Sequence, residues 1–312
     1  MKKVRIGGQA VIEGVMMRNY DKYAVAVRKP DKTIDVMTQE YLPLGERVAL
    51  FKIPFIRGIF NFVESLVIGM RTLTYSAEFY EEEEQETAAD KVMQKMFKEK
   101  AESVINFITV LIAIAIAIGL FMLLPAFLVQ LLDNVIINHY ILAVIEGLLR
   151  MLIFLGYVVL ISQMEDIRRT FMYHGAEHKT INCLEAGDDL TPENVMKHSR
   201  YHKRCGTSFI FVVMIISIIV FMFINTPSTW LRMLYRVLLV PVIAGISYEF
   251  IMLAGRNDSK LMSILSKPGM WVQRLTTKEP DLDMAEVAIA SVEAVLDWRT
   301  YLDAMRNGRL EK

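Results

Sequence analysis

Four stretches of this chain are too long and too poor in charge for a water-soluble core to absorb. Ser103 to Leu132 contains no Lys, Arg, Asp or Glu; Ile141 to Met164 carries only Glu146 and Arg150; Ser208 to Asn225 is uncharged; and Met233 to Ala254 carries only Arg236 and Glu249. A helix rises about 1.5 Å per residue, so about 20 residues cross the ~30 Å of bilayer hydrocarbon. Each run has that length or nearly so, and inside lipid a helix satisfies its own backbone hydrogen bonds. The expected fold class is mainly α: a polytopic membrane protein with about four transmembrane helices. Lys plus Arg and Asp plus Glu balance at 35 each, which gives no electrostatic reason to expect nucleic acid. Membrane lipids are the expected partners.

Charge asymmetry sets the orientation. Residues 166–207 hold Arg168, Arg169, Lys179, Lys197, Arg200, Lys203 and Arg204, whereas 133–140 holds no Lys or Arg and 226–232 only Arg232. Basic loops stay on the cytoplasmic side. Met1 to Gly14 lacks the apolar core of a secretory signal. The expectation is a multi-pass protein of the cell membrane with N- and C-termini cytoplasmic.

Six segments follow from the pattern. Residues 1–48 form a small β-containing segment, because Ala24 to Val27 and Thr33 to Val36 flank the turn signal Lys29-Pro30-Asp31-Lys32. Residues 49–102 read as an interfacial amphipathic helix, broken by Lys52, Arg57, Glu64, Arg71 and Glu78, and a charged connector from Glu81 to Lys100. Residues 103–165 hold spans one and two, 166–207 a cytoplasmic helical His/Cys loop, 208–254 spans three and four, and 255–312 a polar tail. In that tail a helix from Met284 to Leu302, apolar at Val287, Ala290, Ala294 and Trp298, is expected to dock on the cytoplasmic part. Pro125 predicts a kink or early stop in the first span. Glu146 and Arg150 stand at i, i+4, a spacing for pairing within the bundle.

Chemistry concentrates in the 166–207 loop. It holds four of the five histidines, His174, His178, His198 and His202, and both cysteines, Cys183 and Cys205. His174-Gly-Ala-Glu177-His178 has the order His-x-x-Glu-His of inverted zinc peptidases, with two imidazoles on one helical face and an acid beside them. A helix from Glu165 to Glu185, stopped by Gly187, would carry them; Glu185 would lie ~16 Å beyond His174 and could not share an ion with it. Thr191-Pro192 predicts a second helix start, after which His198, His202 and Cys205 fall at i, i+4, i+7, making His202 and Cys205 the natural second ligand pair. The candidate metal ligands are therefore His174, His178, His202 and Cys205, and the candidate catalytic base is Glu177. Zinc suits imidazole and thiolate; without Cys205, iron or manganese would fit. Lys179 or Arg204 could steady an oxyanion. Glu249, near the end of the fourth run, is a carboxylate that could reach the loop.

Three-ligand and four-ligand versions of this centre predict different functions. An open position points to a metal-dependent hydrolase facing the cytoplasm, with Glu177 taking a water proton. A closed set points to a non-enzymatic membrane scaffold or transport-related protein with a structural zinc, and the basic side chains nearby would suit a loop that binds lipid headgroups.

Four blocks, Gly7 to Arg18, His174 to Lys179, His202 to Phe209 and Trp271 to Thr277, resemble the signature blocks of the YqhQ-like bacterial membrane family, over nearly the whole chain. That family is of unknown function and is described as metal-dependent enzymes, so the resemblance implies a location and a class rather than a reaction. Family members often have proline where this chain has Lys203. The resemblance adds Gln9 and Glu13 as residues that could approach the cluster from the β segment.

Overall fold

Alternation decides the first forty residues. A computed structural model of the chain describes residues 6–43, 51, 53–80, 108–132, 136, 138–203, 205–224, 226, 229–256 and 260–309. It forms an antiparallel meander of β1 (Gly7–Val11), β2 (Gly14–Asn19), β3 (Lys22–Arg28) and β4 (Ile34–Glu40) in the order β1-β2-β3-β4. The hairpin expected around Lys29 to Lys32 is present, closed by Lys29 N–H donating to Thr33 O and by Asp31 Oδ1 accepting from Thr33 N. Successive side chains of a strand point to opposite faces. Ala24 and Ala26 accordingly enter one core with Val15 and Met17, while Tyr23, Val25 and Val27 enter another with Met16. Both faces are covered, which is why β3 reads as an unbroken apolar run.

The first face meets α4 (Glu165–Ala186) and α9 (Leu282–Val295), through Tyr173, Ala176, Ala285, Ala288 and Val292. Ser291 donates to the Ala24 carbonyl at 3.0 Å, a close approach that the small side chains permit. The tail helix predicted from Met284 to Leu302 is two helices, because Asp297 caps a new one, α10 (Trp298–Arg306), accepting from Thr300 N at 3.2 Å. The second face meets α1 (Ile56–Ala77) at Ile68. Polar groups of α1 bond inward: Ser76 Oγ accepts from Ile12 N at 3.1 Å, and the buried Glu64 pairs with Arg18 at 3.4 Å. Its apolar side chains face outward, with Val63, Leu66, Val67 and Met70 about half exposed.

α4 begins with Glu165 and Asp166 in its first turn, where acids favour the helix dipole, and stops at Gly187 (φ 87°). Thr191 caps α5 (Pro192–Lys197), accepting from Asn194 N at 3.3 Å. Beyond it lie α6 (Gly206–Met222), α7 (Thr229–Arg256) and α8 (Lys260–Thr276).

The chain divides into two compact units, one of residues 1–80, 158–217 and 237–312, the other of 81–157 and 218–236. The six sequence segments thus regroup: the β segment and the tail belong to one unit. The connector expected from Glu81 to Lys100 lies outside the described residues.

Among the described residues, three helices are long and apolar enough to cross a membrane: Ile108–Gln130, which we term α2, His139–Ile161, which is α3, and Trp230–Ala254 within α7; α6, with 17 residues, is shorter. Their large apolar side chains are widely exposed, as at Ile116, Leu160 and Leu238. In the second unit, Pro125 does not end α2. A π turn at Gly119–Leu123 precedes it, and the Phe121 carbonyl, four residues before the proline that has no N–H to give, instead accepts from Arg150 Nε at 3.0 Å. Arg150 also donates to Glu146 at 2.9 Å, the pairing read from the sequence, and Arg236 joins the same carboxylate at 2.6 Å.

Candidate metal centre

The i, i+4 spacing on α4 stacks the His174 and His178 rings 4.4 Å apart. Cys205, on the segment leading into α6, brings Sγ to 3.3 Å from His174 Nε2. One ligand atom from each of His174, His178 and Cys205 lies within 4.8 Å of the other two. His178 and Cys205 are buried, and His174 keeps 17 % of its side chain exposed.

Hydrogen bonds fix what the imidazoles present. His174 Nδ1 lies 2.9 Å from the Thr276 carbonyl and His178 Nδ1 lies 2.7 Å from the Arg200 carbonyl. A carbonyl only accepts, so in both rings Nδ1 carries a proton, and in the neutral form of each ring Nε2 holds the lone pair. Burial holds His178 below the ordinary histidine pKa, against the opposing pull of Cys205. Two imidazoles with oriented outer nitrogens, beside one thiol, match the donor chemistry and the supporting shell of a zinc-class ion.

The second ligand pair predicted on one helix is corrected by the backbone. α5 ends at Lys197, and His198 is extended (φ −84°, ψ 163°), so 198–205 has no helical spacing. Competing partners from α4 explain why. Lys179 Nζ donates to the Met196 and His198 carbonyls at 2.8 and 2.9 Å, and Asn182 Nδ2 to those of Ser199 and Tyr201 at 2.6 and 3.0 Å. With His178 on Arg200, these bonds pull the segment out straight across the helix. Gln273 of α8, fully buried, completes the tie. Its Oε1 accepts from His202 N at 2.9 Å, and its Nε2 donates to His202 O and Ser208 Oγ, both at 2.8 Å.

Glu177 is buried beside the cluster, with Oε2 3.8 Å from His174 Nε2. Burial pushes its carboxyl pKa up, while His174, His202 and the Gly8 N–H that donates to it pull the other way. That donation requires β1 to pass very close. A Cβ on Gly8 would stand 2.5 Å from the Met16 carbonyl oxygen and 3.0 Å from Glu177 Cγ, so Gly8 marks a point of contact with α4.

The other sequence candidates lie elsewhere. His202 is buried with its ring 5.8 Å from that of His178, and its Nε2 lies 3.3 Å from Glu185 Oε2 rather than with the three gathered atoms. His198 Nε2 contacts Asp188 at 2.9 Å. Gln9 turns to α1, donating to Thr72 Oγ1 at 2.8 Å, because residues alternate along β1 and Gly8 is the one that meets α4. Glu13, at a turn with φ 48°, binds the Arg169 guanidinium and accepts from Tyr173 OH at 3.3 Å. Glu249 pairs with Arg57 of α1. Lys179 is spent on two carbonyls and on Glu279 at 2.6 Å, which removes it as a stabiliser of an oxyanion; Arg204 lies outside the described residues. Gln273 and Asn182 went unselected by chemistry because each acts on the backbone, although Gln273 falls within a family block; the glycine pair Gly7-Gly8 does signal in sequence a bend or a close backbone approach.

The chain was compared with known proteins. No solved structure matches it. It is 37% identical over 296 residues to the uncharacterized protein YqhQ of Bacillus subtilis (strain 168), covering 93% of this chain and 92% of that protein. The family model described as protein of unknown function DUF1385 matches residues 53–298. A relative covered almost end to end and a family model spanning most of the chain agree: the chain belongs to the YqhQ-like family, DUF1385.

Proposed function

We propose that this chain is a multi-pass cell-membrane protein with cytoplasmic termini that acts as a metal-dependent hydrolase. The observation that carries the reading is the three-donor cluster: two imidazoles with Nε2 lone pairs turned toward one thiol, and a buried acid alongside. His174, His178 and Cys205 would hold a divalent ion, zinc by donor type. The ion would supply Lewis acidity that makes a water easier to deprotonate. Glu177 accepts that water's proton; its burial raises the carboxyl's basicity toward what a base needs near neutrality. The reacting centre would be a carbonyl or phosphoryl group.

Membrane placement draws on the three long apolar helices and on the outward apolar face of α1. α6 serves as the fourth crossing in this reading: 17 residues reach ~25 Å, which a locally thinned bilayer accommodates. The basic 166–207 segment sets the cytoplasmic side.

Elemental analysis of the full chain purified in detergent without chelators tests the centre. Wild type should carry about one equivalent of metal, lost in His178→Ala and Cys205→Ser and kept in Glu177→Gln, which should lack hydrolysis across ester, phosphate and peptide probes. Absence of metal in wild type sinks the centre; its loss from Glu177→Gln makes Glu177 a ligand and sinks the base. One observation favours a second reading, a zinc-stapled scaffold: His202 is buried with its ring 5.8 Å from His178. X-ray absorption showing three nitrogens and one sulfur would support that closed set.

A further inference from the structure

A cavity of about 290 Å³ lies within the second unit, between the end of α2 and the beginnings of α3 and α7. Its polar lining is Gln130, His139, Glu146, Arg232 and Arg236. Among the described residues, Glu146 is the sole acid on it and is already engaged, by Arg150 at 2.9 Å and Arg236 at 2.6 Å. Arg236 is only 5% exposed, yet among the described residues its Nε and Nη1 are buried without an acceptor, as are Arg232 Nε and His139 Nε2. Arg232 reaches Thr226 O at 3.2 Å with its other arm. Among the described residues lining the cavity, the guanidiniums of Arg232 and Arg236 stand with one carboxylate, which Arg150 also engages: three positive charges and one negative.

Buried guanidinium N–H groups without acceptors are destabilising, and so is an uncompensated buried charge. Two arginines one turn apart on α7 present forked donors of the kind that match an oxyanion. A water takes ~30 Å³ of liquid, so the cavity has room for a phosphate together with the group esterified to it. We propose that this cavity is a phosphate-group site, which Arg232, Arg236 and His139 fill with charge-assisted hydrogen bonds and Glu146 holds in shape. The same chemistry is offered by an anionic lipid headgroup and by a free phosphate ion. Both the site and its test are independent of the metal centre.

The test uses the full chain, delipidated in neutral detergent, with thermal melting and equilibrium binding as readouts. The probes are sodium phosphate, dioleoylphosphatidylglycerol and, as the zwitterionic control, dioleoylphosphatidylcholine. Phosphate or phosphatidylglycerol should bind and raise the melting temperature, with phosphatidylcholine at least tenfold weaker. Binding by phosphatidylglycerol alone identifies a headgroup, and binding by phosphate alone identifies a soluble ion. Arg232→Gln should weaken binding at least tenfold, and Glu146→Gln, which keeps an oxygen to accept from the arginines but removes the competing charge, should tighten it. Arg232→Gln keeps the test decisive if variants at Arg236 or Glu146 do not fold. The proposal falls if wild type binds neither anionic probe, or if Arg232→Gln binds as wild type does.

Discussion

Gln273 should matter to the cluster more than its distance from the chemistry suggests. Replacing it with Met keeps length and volume but removes an amide that satisfies both the N–H and the C=O of His202 and also bonds Ser208. A buried polar group left without its partner costs about 1–3 kcal/mol. Two orphaned backbone groups together cost about 2–6 kcal/mol, and we take about 4 as the working value. Cys205, three residues on and 5% exposed, reports on this directly. At 1.4 kcal/mol per tenfold, opening the 202–205 segment more easily by about 4 kcal/mol speeds native-state alkylation of Cys205 by about 10³-fold. The assay is iodoacetamide labelling of metal-free protein in detergent, resolved by peptide mapping, with the fully buried Cys183 as internal reference. A Cys205 rate in Gln273→Met within about threefold of wild type would refute the claim that this one amide pins the segment.

Gly175→Ala should destabilise by ~3 kcal/mol or more, because its Cβ would stand 2.0 Å from the Lys278 carbonyl oxygen, a backbone group that cannot swing aside; a wild-type melting temperature would contradict that contact. Burial pushes the Cys183 thiol up to about 11 from 9.0. The unfolded chain therefore loses this proton first, stability falls as pH rises from about 9 through about 11, and Cys183→Ala should flatten that part of the melting-temperature profile; an equal slope in both proteins would count against the burial argument.

Much of the frame was readable from local signals. The turn at Lys29 to Lys32, the stop at Gly187 and the cap at Thr191 each depend on neighbouring residues, and each stands where the sequence places it. Pairing of His174 with His178 follows from helical spacing alone. The segment after Lys197 was not readable, because helical spacing describes a chain that satisfies its own carbonyls, whereas here His178, Lys179 and Asn182 compete for them from another helix. The same limit hid that Cys205 and not His202 groups with His174 and His178, while Gln273 holds the backbone at His202. Gln9 and Glu13 show a further case: both are polar residues near a tight turn, and their partners, Thr72 and Arg169, are set by tertiary packing.

The carbonyls of Met196, His198, Ser199, Arg200 and Tyr201 all accept from side chains of α4. Every residue type carries a carbonyl, so the instructions for this segment's path are written in the helix and not in the segment. Tolerance to substitution is thereby inverted. Apart from Ser199, whose Oγ accepts from Tyr201 N at 3.0 Å, the irregular stretch can exchange its exposed side chains without changing course. Three positions on a regular helix, His178, Lys179 and Asn182, cannot be exchanged without it.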